Sequence, residues 1–238
     1  MLKKKNFKCK YKKLTFLKEN IQNSKKIYSF KKKKWKTFIN YSLKKKKNFI
    51  FLYDHTNYYR FYYNTYLNKK YKFSLIAKQK LTFFFGYLTR KYLKRIRNKS
   101  FLLQKKKFKK NKKNINFFFL EFLETRLDSI LYRANFFSNF RISRQFISHG
   151  NVMVNSKKIL SSSFNVKKGD LIQIKLNNQN LVLFNLLNSN KWPIPPSYLH
   201  INYKIFQILI IKNINLSKIL YTYPFWLNLN ILKKYFIK

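Results

Sequence analysis

The sequence predicts an α+β protein: a helical segment with basic extensions, followed by a small module of two helices packed on a short, mainly antiparallel sheet. Three observations predict it. Leu120, Leu123, Leu127, Ile130, Leu131 and Ala134 recur at helical spacing and make one apolar stripe. Ser138 or Asn139 can then cap a second helix, which Gly150 ends. The stretches "NVMVN" and "DLIQIKL" alternate as strands, with Val152, Val154, Ile172, Ile174 and Leu176 facing inward.

In chain order, residues 1–74 form a basic, aromatic-rich N-terminal extension without glycine or proline. No period is readable there, so the first 70 residues are expected to lack an autonomous core and to be largely disordered on their own. Residues 75–115 are a helical segment and basic linker. Within it "LIAKQKLTFFFGYLTRKYLKRIR" reads as helix, turn at Gly86 and helix, with Thr89 as N-cap, and "QKKKFKKNKKN" is the linker. Residues 116–178 are the module. On its first helix Arg126 and Arg133, close to two turns apart, share one cationic flank, while Glu121, Glu124 and Asp128 line the other. The second helix turns Ser143, Phe146, Ile147 and Gly150 inward and Arg141, Arg144, Gln145 and Ser148 outward. The turn "KKGD" at Lys167 to Asp170 introduces the last strand. Residues 179–238 are a C-terminal tail of short strands or helices, Asn-rich at first, then carrying "WPIPP"; "IFQILII" at Ile205 to Ile211 suits a core strand.

Composition narrows the partner. Lys+Arg number 54 against Asp+Glu 6, a formal charge of +48. Such an imbalance repels itself in a compact chain unless a dense polyanion neutralises it. A single lysine cluster is ordinarily a solvated face, but clusters recur at Lys3 to Lys5, Lys31 to Lys34, Lys44 to Lys47, Lys105 to Lys107 and Lys109 to Lys113. Aromatic residues, 20% of the chain, are interleaved with them, and rings can stack on unpaired bases or fill gaps between RNA helices. RNA is therefore the expected partner, ahead of DNA or a membrane. No apolar run approaches the ~18 to 20 residues of a spanning helix.

Other chemistries are poorly supplied. Cys9 is the sole cysteine, so a disulfide framework and a multi-cysteine zinc site are both excluded. His55, His149 and His200 lack metal-ligand spacing, and Gly86, Gly150 and Gly169 assemble no phosphate loop. No cofactor and no catalytic residue is expected. "MLKKKNFKCKYKK" has a basic start but no apolar segment of a secretory signal. Lys, Asn, Ile, Phe and Tyr share A/T-rich codons; with no presequence legible, this suggests an organelle-encoded protein, mitochondrial in preference to plastid.

The ordered series Arg126-Leu127-Asp128, Tyr132-Arg133, Arg144-Gln145, Ser148-His149-Gly150, Val154-Asn155 and Lys167-Lys168-Gly169-Asp170 resembles the RNA-binding module named after small-subunit ribosomal protein S-four, from Asn116 to Gln173. The same module occurs in pseudouridine synthases, tyrosyl-tRNA synthetases and a heat-shock RNA-binding protein. Upstream, Lys78-Gln79-Lys80-Leu81 and Phe85-Gly86-Tyr87-Leu88-Thr89 are similar to the signature preceding the module in the ribosomal family, which decides for that family. "PSYLHINYK" and "YPFWLNLNILKKYF" resemble the tail of its organellar members more loosely. Phe140 departs from the pattern where arginine is usual, Ser156 where glycine is usual, and Arg90 where an acid is usual. Many bacterial members also carry an N-terminal zinc segment that Cys9 alone cannot reproduce.

The resemblance implies a structural constituent of the small subunit that binds its rRNA directly, aids assembly, and lies near the mRNA entrance beside neighbouring small-subunit proteins. The candidate RNA-binding residues are Arg126, Arg133, Arg141, Arg144, Gln145 and His149, which the inward-facing apolar stripes should leave exposed or flanking, with Asn155, Lys78, Lys80 and Arg90 completing the set. Arg141 or Arg144 could equally bridge to Glu124 or Asp128. An RNA-modifying enzyme using the same module is the alternative function, and a basic membrane-surface protein a remoter one. The balanced stretch then contrasts with its surroundings because it must fold as a self-contained module, whereas the lysine-rich remainder can lean on RNA.

Overall fold

The structure, a computed structural model, describes residues 11–17, 19–21, 25–51, 67–107, 115–175, 179–187, 196–212, 223 and 225. The chain divides into two compact units, one of Met1–Phe83 with Pro224–Lys238 and one of Phe84–Tyr223. Leu176 and "WPIP", expected as an inward strand residue and a tail landmark, lie outside the described residues.

The first unit holds α1 (Lys12–Leu17), a 3-10 turn (Lys25–Ser29), α2 (Lys33–Phe51) and most of α3 (Leu67–Phe84). Leu14, Leu17, Ile21, Ile27 and Phe38 are buried. Ring centroids link Tyr11 to Phe30 at 5.2 Å, Phe30 to Trp35 at 4.9 Å and Trp35 to Phe38 at 5.7 Å. A buried cluster thus stands in the described part of residues 1–70, where no readable period announced a core. Edge-to-face rings between short helices supply burial that a search for one long apolar stripe overlooks.

In the second unit Gly86 and Tyr87 both have φ of +65°, and this turn ends α3. Thr89 caps α4 (Arg90–Lys107) as expected: its hydroxyl accepts from the Tyr92 N–H at 3.3 Å and its carbonyl from Leu93 at 3.1 Å. Leu93, Ile96 and Ser100 face inward on α4 towards α5 (Ile115–Glu124), leaving Lys91, Lys94, Arg95 and Lys99 exposed.

The single helix expected through residues 120–134 is broken. Arg126 is extended (φ −65°, ψ 142°) and pairs with Asn165 as an isolated bridge, after which α6 runs Leu127–Arg133. Leu127 donates to the Phe164 carbonyl and Val166 donates to the Thr125 carbonyl, both at 2.9 Å. The loop beyond the second strand thus takes backbone groups that a continuous helix would have used. Asn139 caps α7 (Phe140–Ser148) by accepting from the Arg141 and Ile142 N–H groups at 3.1 Å, and Gly150, with φ of +73°, follows its C-cap.

Five strands form one antiparallel sheet in the order β2-β1-β3-β5-β4. They are β1 (Val152–Val154), β2 (Lys157–Lys158), β3 (Leu171–Ile174), β4 (Leu199–Asn202) and β5 (Gln207–Ile210), with α8 (Gln179–Leu187) between β3 and β4. Opposite Val154 stands Lys157, so Asn155 and Ser156 make a two-residue hairpin loop, and both carry positive φ, +48° and +65°. Asn155 and Ser156 adopt without glycine the left-handed conformation that this turn demands. Val152, Val154, Ile172, Ile174, Ile208 and Ile210 are buried, as are Leu127, Ile130, Leu131 and Ile147 on α6 and α7. Each such side chain contributes roughly 1.5–3 kcal/mol.

Candidate nucleic-acid interface

The charges of the module sort into an inner and an outer set. Arg126, only 3% exposed, donates through Nε and Nη2 to the two carboxylate oxygens of Asp128 at 2.9 and 2.7 Å. Its guanidinium also lies 4.8 Å from the Tyr92 ring centre. Arg133 grips Glu124 in the same bidentate way at 3.0 and 2.7 Å and lies against the rings of Phe84 and Tyr223, 5.6 and 5.1 Å from their centres. Arg144 donates from Nε to Asp128 at 2.6 Å, from Nη1 to the Gly86 carbonyl at 2.7 Å, and from Nη2 to the Phe85 carbonyl. The planar fork of arginine suits this work, since one cation satisfies a carboxylate and two carbonyls at fixed angles.

Both carboxylates are fully buried. Burial works against the Arg133 charge, yet the charge and hydrogen bonds of Glu124 outweigh it and hold its pKa above the ordinary arginine value. Burial pushes the Tyr223 hydroxyl well up, and Glu124 adds to the shift; that hydroxyl donates to Glu124. Around this network Phe140 is core: it stacks on Tyr132 at 4.3 Å and meets Phe85 at 5.1 Å. Gly86 has no room for a side chain to spare, because an added Cβ would stand 3.2 Å from Phe140 and 3.3 Å from Arg144, at a positive φ besides.

Of the residues expected to be exposed or flanking, Arg126 and Arg133 are instead buried ion-pair partners, and Arg144 is about three-quarters covered. Their sequence positions were read on one unbroken helix, and the break at Thr125–Arg126 turns them inward. For Arg144, the open alternative of a bridge to Asp128 is the one realised. Asn155 uses both ends of its amide in the fold, donating to Asp170 and accepting from the Leu171 N–H, each at 2.9 Å. Lys80 pairs with Glu19 at 2.6 Å in the first unit, where Lys78 is half-buried.

The outer set is continuous. Arg141, Gln145 and Ser148 lie along the solvent stripe of α7, and His149 follows; all four are exposed. Arg141 lies over the Tyr87 ring, 4.6 Å from its centre, which joins this stripe to the start of α4 with Arg90, Lys91, Lys94 and Arg95. Sequence reasoning singled out Arg141, Gln145, His149 and Arg90 but passed over Tyr87, Lys91, Lys94 and Arg95. The signal was there: Lys91, Lys94 and Arg95 recur at helical spacing opposite Leu93 and Ile96. Among the described residues no group of three or more His, Cys, Asp or Glu could hold a metal, and no helix is long and apolar enough to cross a membrane.

Comparison with known proteins agrees with this geometry. The S4 domain family matches residues 125–172. The chain is 34% identical over 145 residues to the small ribosomal subunit protein uS4 of Aquifex aeolicus, covering 60% of this chain and 64% of that protein. To the protein of the same name in Pelagibacter ubique it is 28% identical over 166 residues, covering 70% and 76%. To that of Caulobacter vibrioides it is 37% identical over 109 residues, covering 46% and 49%. The alignment thus spans between about half and three-quarters of these relatives' lengths.

Proposed function

We propose, on the premise that this chain carries an S4 domain and is homologous to small ribosomal subunit protein uS4, that it is a structural constituent of a small ribosomal subunit and binds that subunit's rRNA directly. One observation carries the reading: the module turns two of its carboxylates fully inside. Glu124 and Asp128 are buried under three arginines, and Asp170 is tied to the Lys167 N–H and Asn155. These three acids are turned into framework, and the cations of α4 and α7 are left facing outward.

Arg141, Gln145, His149, Tyr87 and Arg90, with Lys91, Lys94 and Arg95, form the proposed contact face. Lysines and arginines neutralise phosphates without reading sequence, and the rigid helix pair selects a particular RNA shape. Arg126, Arg133, Arg144 and Asn155 serve by holding that face rather than by touching RNA. Lys78 and Lys80 belong to the proposed contacts through their motif alone. The finer placement, in an organellar and preferably mitochondrial ribosome beside the mRNA entrance and other small-subunit proteins, is supported by the A/T-biased composition for the organelle and by family resemblance for the location.

Gradient sedimentation with sequencing of the associated RNA tests the reading. The chain should travel with small-subunit rRNA and remain with it after a moderate salt wash. A chain found only in RNA-free fractions, or a purified chain that modifies uridine, overturns it.

A further inference from the structure

We propose that Phe101 on α4 is a stacking platform for one unpaired nucleotide of the bound RNA, with the phosphates on either side of that nucleotide neutralised by cations of the same helix. The proposal rests on the reading of the chain as an RNA binder and adds a base-contacting residue to a helix face otherwise described by its charge. The solvent stripe of α4 does not end at Arg95. Lys94, Arg95, Asn98, Phe101, Leu102 and Lys105 continue it at helical spacing and all six are exposed, whereas Leu93, Ile96 and Ser100 on the other side are buried.

A single exposed apolar residue is ordinary on a protein surface. Two features set Phe101, which is 44% exposed, apart. Its helix, "RKYLKRIRNKSFLLQKKK", contains no acidic residue, so the ring stands among charges of one sign. The Lys105 ammonium lies over the ring, 4.8 Å from its centre, so that face of the ring meets a flexible side chain and not the core. At the helical rise, Phe101 stands about 9 Å along the axis from Arg95 and about 6 Å from Lys105, with cations therefore on both sides of the ring.

This order fits a single-stranded stretch of RNA. Phosphates recur on either side of each base and every base has a flat π-face, so a strand lying along α4 can rest phosphates on Lys94, Arg95 and Lys105 while one base covers Phe101. As the base arrives, the Lys105 ammonium exchanges the ring for a phosphate, a stronger partner for a full charge. Paired RNA fits less well, because its base faces are taken up within the stack. A protein partner fits less well too, because the apolar patch is two residues wide and bounded by cations, whereas the centre of a protein interface is depleted of charge. Stacking reads no base edge, so little preference among the four bases is expected.

The test uses the full chain with small-subunit rRNA. Phe101→Leu keeps an apolar side chain of high helix propensity but removes the ring, so rRNA affinity should fall about tenfold at an unchanged melting temperature, and Phe101→Tyr should rescue it. Salt separates stacking from charge: Phe101→Leu should leave the log-log slope as it is, while Lys105→Gln should flatten it by about 1. Ultraviolet cross-linking with peptide mass spectrometry should place a nucleotide adduct on Phe101. Unchanged affinity of Phe101→Leu overturns the platform while leaving rRNA binding intact. A lowered melting temperature with affinity per folded molecule retained overturns it as well, and so does a neighbouring protein's peptide cross-linked at Phe101 in assembled subunits. Failure of the unaltered chain to bind rRNA would instead remove the premise, and the proposal with it.

Discussion

The inner arginines of the module and the outer cations of α4 carry the same charge and do opposite things. Arg126, Arg133 and Arg144 are wrapped by Asp128, Glu124 and backbone carbonyls, whereas Lys91, Lys94 and Arg95 stand in solvent. Desolvation explains the split. A buried guanidinium needs a fixed partner for its donors, and the fork of arginine finds several at once; a lysine ammonium is a strongly hydrated point charge that stays where water, or phosphate, can reach it. What separates the buried cations from the exposed ones here is therefore local acid content and hydration.

The harshest way to break this comparison is to remove an inner counterion. Glu124→Gln should lower the stability of the second unit by about 3–5 kcal/mol, because Arg133 is left buried and charged without its partner. Thermal denaturation of the full chain reads the loss, and an unchanged melting temperature would show that the network is dispensable.

A pair of arginine substitutions on one helix sharpens it. Arg144→Ala should cost about 2 kcal/mol of stability, discounted for its partial exposure, with rRNA affinity per folded molecule retained. Arg141→Ala, three residues away, should leave the melting temperature alone and weaken rRNA binding by about 1–2 kcal/mol. Equal behaviour of the two would erase the distinction between inner and outer sets.

The outer set has its own signature in salt. Affinity for rRNA should fall with a log-log slope steeper than roughly −5 if six or more phosphates are met, and Lys91→Gln with Lys94→Gln should flatten it by about 1 for each phosphate no longer neutralised. The smallest effect is expected at the hairpin. Ser156→Gly relieves a left-handed serine and should add about 1 kcal/mol of stability with no change in RNA binding, as denaturant unfolding can check.

Much of the second unit was legible in residue order. Asn139 and Thr89 act as N-caps, Gly86 and Gly150 mark a turn and a helix end, and Val152, Val154, Ile172 and Ile174 face inward, because caps, left-handed turns and alternation are local and depend on near neighbours alone. The small helical cluster of Leu14, Leu17 and Phe38 was not legible, since its rings and aliphatic residues come from separate short elements without a common period.

By itself the sequence determined the charge excess, the α+β order of elements, the strand alternation and the crowding of Glu121, Glu124, Asp128 and Asp170 into one region. Only the tertiary structure decided which cations those acids would claim. That outcome turns on the bridge between Arg126 and Asn165, which breaks a helix whose apolar stripe reads as continuous, and on the reach of Arg144 to Gly86 and Phe85 nearly sixty positions earlier. Helical periodicity can say which flank a side chain leaves from, but a buried ion pair forms where two segments distant in sequence exclude water together, and that meeting exists only once the chain has folded.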